Sequence, residues 1–149
     1  MMDLILWRHA DAEEGFPDLA RQLTEKGRKQ AEKMAAYLST HLPSDTRILS
    51  SPAIRTQQTV SALTKNFTIV PAIAPDASVH AVLQAVRWPN GPGTVLVVGH
   101  QPTLGAVAAQ LLGSTQTSLR IKKGSLWWFS CREHTSETTL RVVLTPELL

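Results

Sequence analysis

The sequence predicts an α/β three-layer sandwich: a mostly parallel central sheet, helices on both faces and an antiparallel C-terminal part. Two observations carry this prediction. As far as Leu112, short apolar runs alternate with stretches of helical periodicity, the sign of strands and helices joined by right-handed crossovers. Beyond Gly113 the helical pattern stops and three strand-like runs follow one another directly.

Leu4-Ile5-Leu6-Trp7, ending in Arg8-His9, reads as a buried strand. Glu25 to Leu38 places Gly27, Ala31, Met34, Ala35 and Leu38 at helical spacing, with Thr24 as N-cap and Leu23 before it. Arg47 to Ser50 is a second strand. Ser51-Pro52 then predicts a helix start, a capping hydroxyl before a proline, with the helix running to about Lys65 and burying Ala53, Thr56, Val60 and Leu63. Phe67 to Val70 is a short strand ended by Pro71. Val79 to Val86 is a helix closed by Trp88-Pro89 and Asn90-Gly91-Pro92-Gly93. Thr94 to Val98 is a continuous, mainly β-branched run of the kind buried on both faces. Gln101-Pro102 opens a helix reaching Leu112, stopped by Gly113. Leu119 to Ile121, Leu126 to Ser130 and Thr139 to Leu144 are the three final strands expected.

The chain has 149 residues, of which 43% are apolar and 18% charged, a globular composition of a size that one core can organise. One domain over residues 1–149 is expected. The single cysteine, Cys131, excludes an internal disulfide framework and fits a reducing compartment. No apolar run approaches a membrane span, and Asp3 stands where a secretory signal would want basic residues, so a cytoplasmic protein without membrane contact is expected. The formal charge is +3, but the basic residues are scattered. Arg120 and Lys122-Lys123 form too small a cluster to indicate nucleic acid. In Trp127-Trp128 an alternating strand sends one indole to each face, which favours packing over base stacking.

Three segments share one layout, an apolar strand followed by basic or imidazole side chains. They are Leu4 to His9, Ile48 to Arg55 and Val95 to Pro102. In a parallel sheet these groups emerge at one edge, where ligands of such sheets bind. Arg8, Arg55, His9, His100 and one or two helix N-termini describe an anion site, with phosphate the leading candidate. Binding needs only arginines and backbone amides. Two imidazoles add chemistry: one can attack phosphorus, and the other can stabilise charge on the transferring group.

Arg8-His9-Ala10, Ser51-Pro52-x-x-Arg55-Thr56-x-x-Thr59 and Gly99-His100-Gln101-Pro102 resemble the histidine phosphatase (phosphoglycerate mutase-like) superfamily. Leu23-Thr24-x-x-Gly27-x-x-Gln30-Ala31 is similar to that family's first-helix signature. The short length and Arg8-His9-Ala10-Asp11-Ala12 most resemble its SixA-like phosphohistidine phosphatase branch. The four motifs run in order from Asp3 to about Leu112. The resemblance implies the phosphoglycerate mutase-like fold and a mechanism without metal or other cofactor. It implies that His9 is phosphorylated, that Arg8 and Arg55 clamp the phosphoryl group, and that His100 completes the pocket. Arg21 would be a further phosphate or substrate contact. The expected partner is a protein carrying phosphohistidine in signal transduction, or a small phosphorylated compound.

The chain departs from the pattern in one respect. Larger members that act on phosphate esters carry a glutamate between the second arginine and second histidine as general acid. Pro71 to His80 contains no glutamate, and Asp76 is its only carboxylate. An alkoxide needs protonation far more than an imidazole does, so the gap favours phosphohistidine over esters. Asp11 and Asp76 remain candidate proton donors beside Glu13 and Glu14. The competing readings are a broad small-molecule phosphomonoesterase and a non-catalytic phosphoryl-binding module, with a phosphoglycerate mutase disfavoured by length. Zinc held by His9, His100 and Asp11 is set aside, because two arginines would repel a dication. His41, His80 and His134 follow no catalytic pattern.

Overall fold

The computed structural model describes residues 1–132, 135 and 137–149; His134 lies outside the described residues. Among the described residues six strands form one sheet: β1 (Met2–Arg8), β2 (Arg47–Ser50), β3 (Thr68–Ile69), β4 (Gly93–Gly99), β5 (Leu126–Cys131) and β6 (Thr138–Leu144). They are joined by the α-helices α1 (Glu25–His41), α2 (Ile54–Ser61), α3 (Val79–Val86) and α4 (Thr103–Leu111). The spatial order is β3-β2-β4-β1-β5-β6. The first four strands pair in parallel, whereas β5 runs antiparallel to β1 and β6 antiparallel to β5.

Alternation along β1 and β4 builds the two outer layers. Met2, Leu4, Leu6, Val95 and Val97 pack on one face with Val82 and Val86 of α3 and Leu104 and Val107 of α4. Ile5, Trp7, Leu96 and Val98 pack on the other with Met34 and Leu38 of α1 and Val60 of α2. Full burial of Met34 and Leu38 contributes roughly 1.5–3 kcal/mol each. The five apolar or small positions expected on α1 are its buried residues, and Thr24 accepts a capping bond from the Gly27 amide. At Gly27 any Cβ would collide with the Asp11 carbonyl, so glycine is what lets α1 start against the loop after β1. The two indoles divide as expected: Trp127 packs with the first cluster and Trp128 belongs to the second.

Two expectations need correction. Leu119 to Ile121 is not a strand. Its peptide groups bond to α4 and to side chains: Leu119 N donates to Gly105 O, Leu119 O accepts from Gln101 Nε2, and Ile121 O accepts from Arg8 Nη1. A Cβ on Gly105 would strike Leu119 O, so α4 and this segment meet backbone to backbone. The helix expected from Ser51-Pro52 to Lys65 is shorter, Ile54–Ser61. Ser51 still continues the sheet, with its amide on Val98 O at 3.1 Å, and its hydroxyl accepts from Ala53 N at 3.2 Å before the first turn begins.

Asp3 also gains a structural account. It is buried and accepts from Trp128 Nε1, Ser130 Oγ and Arg141 Nη1, stitching β1 to β5 and β6. No helix among the described residues is long and apolar enough to cross a membrane.

Candidate active site

Strands β2, β4 and β1 are consecutive neighbours and parallel, so Ser51, His100 and His9 leave the sheet at one edge. The ladder carries on past the strand ends, with the His9 amide donating to Gly99 O at 3.0 Å. The imidazoles of His9 and His100 lie with ring centroids 5.4 Å apart, tilted by 53°. Both side chains are buried, as is Arg55 from the first turn of α2.

His9 Nδ1 lies 2.7 Å from the Ala10 carbonyl. A carbonyl only accepts, so Nδ1 carries the proton and Nε2 keeps its lone pair. Burial, followed by the Arg55, Arg8 and Arg21 charges, pushes the His9 pKa down to about 4, against the opposing pull of the Ala10 bond. The ring is neutral and nucleophilic at pH 7.

His100 is fixed in the opposite sense. Arg55 Nη2 lies 3.3 Å from its Nδ1, and a guanidinium only donates, so Nδ1 accepts. Nε2–H then donates to Ser51 Oγ at 2.7 Å. Burial, then Arg55 and His9, pushes the His100 pKa down to about 3.

Arg8 donates from Nη1 to Ile121 O at 2.9 Å, and burial lowers its pKa. Arg55 donates from Nη1 to the Asp18 carbonyl and from Nη2 to Asp18 Oδ2 at 3.1 Å. Arg21 donates to Glu13 O through Nε and to Asp18 Oδ1 through Nη1. The sequence reading missed Asp18, which lies on a short 3-10 turn (Asp18–Ala20). Its spacing of three from Arg21 was the one local signal available.

The two carboxylates considered as proton donors are placed differently. Asp11 accepts from Thr24 Oγ1 at 2.7 Å and pairs with Lys123 Nζ at 3.0 Å. The Thr24 bond and the Lys123 charge hold its carboxyl below the usual range, so it is ionised at neutral pH. Asp76 is exposed at a positive φ of 69°, and among the described residues no hydrogen bond or ion pair joins it to either histidine or arginine. His41 is exposed and stacks on Tyr37; His80 is exposed. Among the described residues no three His, Cys, Asp or Glu side chains gather as a metal site.

A neutral imidazole with a free Nε2, a second imidazole, the buried Arg55 and the half-buried Arg8 at the carboxyl edge of a parallel sheet make an arrangement suited to phosphoryl transfer. Residues 4–78 match the family model of the histidine phosphatase superfamily (branch 1), and the chain belongs to that superfamily of hydrolases. Within it the chain is SixA-like. A phosphohistidine phosphatase SixA homolog from Haemophilus influenzae is 34% identical over 128 residues, 75% of this chain and 78% of its own. The phosphohistidine phosphatase SixA of Escherichia coli is 31% identical over 120 residues, 74% of each chain. The solved structure of the protein histidine phosphatase SixA complexed with tungstate superposes with a TM-score of 0.82 at 26% identity, covering 99% of both chains.

Proposed function

We propose that this phosphatase removes the phosphoryl group from phosphohistidine on a protein substrate, through a phosphohistidine formed on its own His9. The observation that carries the reading is the fixed tautomer of His9, neutral and with Nε2 unprotonated beside two guanidiniums. In the first step the Nε2 lone pair attacks phosphorus. The bond from phosphorus to the substrate imidazole breaks, and its electron pair leaves with that imidazole, which takes a proton from water. In the second step water attacks phosphorus, the P–Nε2 bond returns its pair to His9, and inorganic phosphate departs. Arg8 and Arg55 carry the phosphoryl oxygens through both steps, His100 completes the pocket beside Arg55, and Arg21 is an outer contact. No metal or cofactor enters either step, and a cytoplasmic location suits both the free thiol and a phosphotransfer partner.

The choice of phosphohistidine over phosphate esters follows from the leaving group. Asp11 is held ionised, so it has no proton to give near pH 7, and Asp76 makes no contact with the histidines. An alkoxide departing without an acid is slow, whereas an imidazole or a nitrophenolate leaves readily. The test is kcat/KM on a phosphorylated histidine phosphotransfer protein, p-nitrophenyl phosphate, phosphoserine and phosphoglycerate. The expected order is phosphohistidine, then the aryl phosphate, with the two alkyl esters last. A tenfold or larger preference for an alkyl ester would overturn the reading and make Asp76 the first residue to mutate. Binding without turnover of any of them would leave a phosphoryl-binding module.

A further inference from the structure

Asp18 has no part in the two chemical steps, yet it touches two of the three arginines of the clamp. Its Oδ1 accepts from Arg21 Nη1 at 3.0 Å and its Oδ2 from Arg55 Nη2 at 3.1 Å, while its carbonyl accepts from Arg55 Nη1 at 2.9 Å. One residue therefore grips both terminal nitrogens of Arg55 and ties that guanidinium to Arg21. The Asp18 side chain is 54% exposed, against 21% for Arg21 and 5% for Arg55, so the grip comes from the solvent side.

What the grip leaves free is informative. Among the described residues Arg55 Nε–H is buried without a partner, and so is Arg8 Nε–H, whose Nη1 is likewise held by a carbonyl, that of Ile121. A buried donor left unpaired costs about 1–3 kcal/mol, and such groups call for an explanation. Arg47 Nε–H is a third, but it stands at the start of β2, away from the histidine edge. Arg8 and Arg55 each have a terminal nitrogen held by the protein and a spare inner donor, as Arg47 does with Nη2 on Val86 O; what sets the first two apart is their place, close enough to His9 for their charges to act on it. Two cations beside a third at Arg21 would also repel one another without an intervening anion.

We propose that Asp18 is the positioning residue of the arginine clamp, holding Arg55 and Arg21 from outside in the orientation that meets the phosphoryl group. This rests on the phosphatase reading of His9, Arg8 and Arg55 given above. Asp18 acts through Arg55 and does not itself meet the phosphoryl group, whose negative oxygens its carboxylate would repel.

The experiment compares wild type, Asp18→Asn, Arg55→Lys and the double variant. It measures inhibition by tungstate, kcat and KM for phosphoramidate, and the thermal midpoint. Asp18→Asn keeps the shape and removes the charge. It should weaken tungstate inhibition and lower kcat by on the order of 10- to 100-fold, the scale of a misplaced catalytic group, with the thermal midpoint shifted by only a few degrees. In the Arg55→Lys background the same change should cost almost nothing, because the two residues act as one unit. Unchanged or tighter tungstate inhibition in Asp18→Asn overturns the proposal, the second result meaning that the carboxylate competes with the oxyanion. Losses that simply add in the double variant overturn it as well. A wild-type protein that neither binds tungstate nor hydrolyses phosphoramidate overturns the phosphatase reading itself, whereas an active wild type with an unaffected Asp18→Asn overturns only the role of Asp18.

Discussion

Ser51 Oγ accepts the Nε2–H of His100 at 2.7 Å, which leaves His100 Nδ1 facing the Arg55 guanidinium. The guanidinium, which only donates, selects the tautomer of His100, and a serine that precedes a helix, and whose hydroxyl also accepts from Ala53 N, receives the remaining N–H. Ser51→Ala removes both bonds and strands a buried N–H. The expected cost is about 1–3 kcal/mol in stability, read from urea unfolding, with a reduced kcat because the His100 ring loses its anchor on Ser51. An unfolding curve and kcat matching wild type would show that the contact does neither job.

His9 is the residue expected to carry the phosphoryl group. Brief exposure to labelled substrate followed by quenching should leave acid-labile, base-stable label on His9. His9→Ala should lose nearly all turnover while giving an unfolding transition like that of wild type. Substantial activity in a folded His9→Ala protein would remove the covalent mechanism.

Arg55 uses both terminal nitrogens and has one more buried donor, a fork that lysine cannot reproduce. Arg55→Lys should therefore cost on the order of 2–4 kcal/mol in transition-state stabilisation, measured as the fall in kcat/KM on p-nitrophenyl phosphate. An unchanged kcat/KM would place Arg55 outside the reaction. Incubation with EDTA should leave the wild-type rate intact; loss restored by zinc would point to a metal instead.

Acid should destabilise the fold through the two buried imidazoles. Folding lowers the pKa of His9 from 6.5 to about 4 and that of His100 from 6.5 to about 3, chiefly by burial. Below the unfolded value the unfolded chain binds more protons than the native one, so stability falls as pH drops from about 6.5 toward those lowered values and is flat above it. By pH 5 each histidine should have cost roughly 2 kcal/mol. Urea midpoints between pH 7.5 and 5 in phosphate-free buffer test this. A His9→Asn variant should lose less stability over the same window, and parallel curves for the two proteins would contradict the neutral burial of His9.

Much of the architecture was legible because it follows from short-range pattern. The β-branched run of Thr94 to Val98 and the spacing of Gly27, Ala31, Met34, Ala35 and Leu38 each specify an element and its buried face within a few residues. Leu119 to Ile121 was misread because apolar residues in extended conformation look the same whether their peptides pair with a strand or with the backbone of α4. The helix start at Ser51-Pro52 was misplaced for a related reason. The serine hydroxyl accepts from Ala53 N without capping α2, whose N-cap is Ala53, and it is shared with a histidine that lies 49 residues away in sequence.

The sequence by itself determined the alternation of strands and helices as far as α4, and it carried Arg8, His9, Arg55 and His100 as a set through three ordered motifs. Only the tertiary structure decided what those side chains bind. Strand order placed β4 between β2 and β1, so that His100 meets Ser51 and His9. The loop after β1 brought Asp18 across 37 residues onto Arg55. Tautomer, protonation and the grip on each guanidinium depend on which donor faces which acceptor within about 3 Å. Such pairings join residues distant in the chain, and local sequence pattern reaches only a turn of helix or a strand's neighbours, so they exist only once the sheet is assembled.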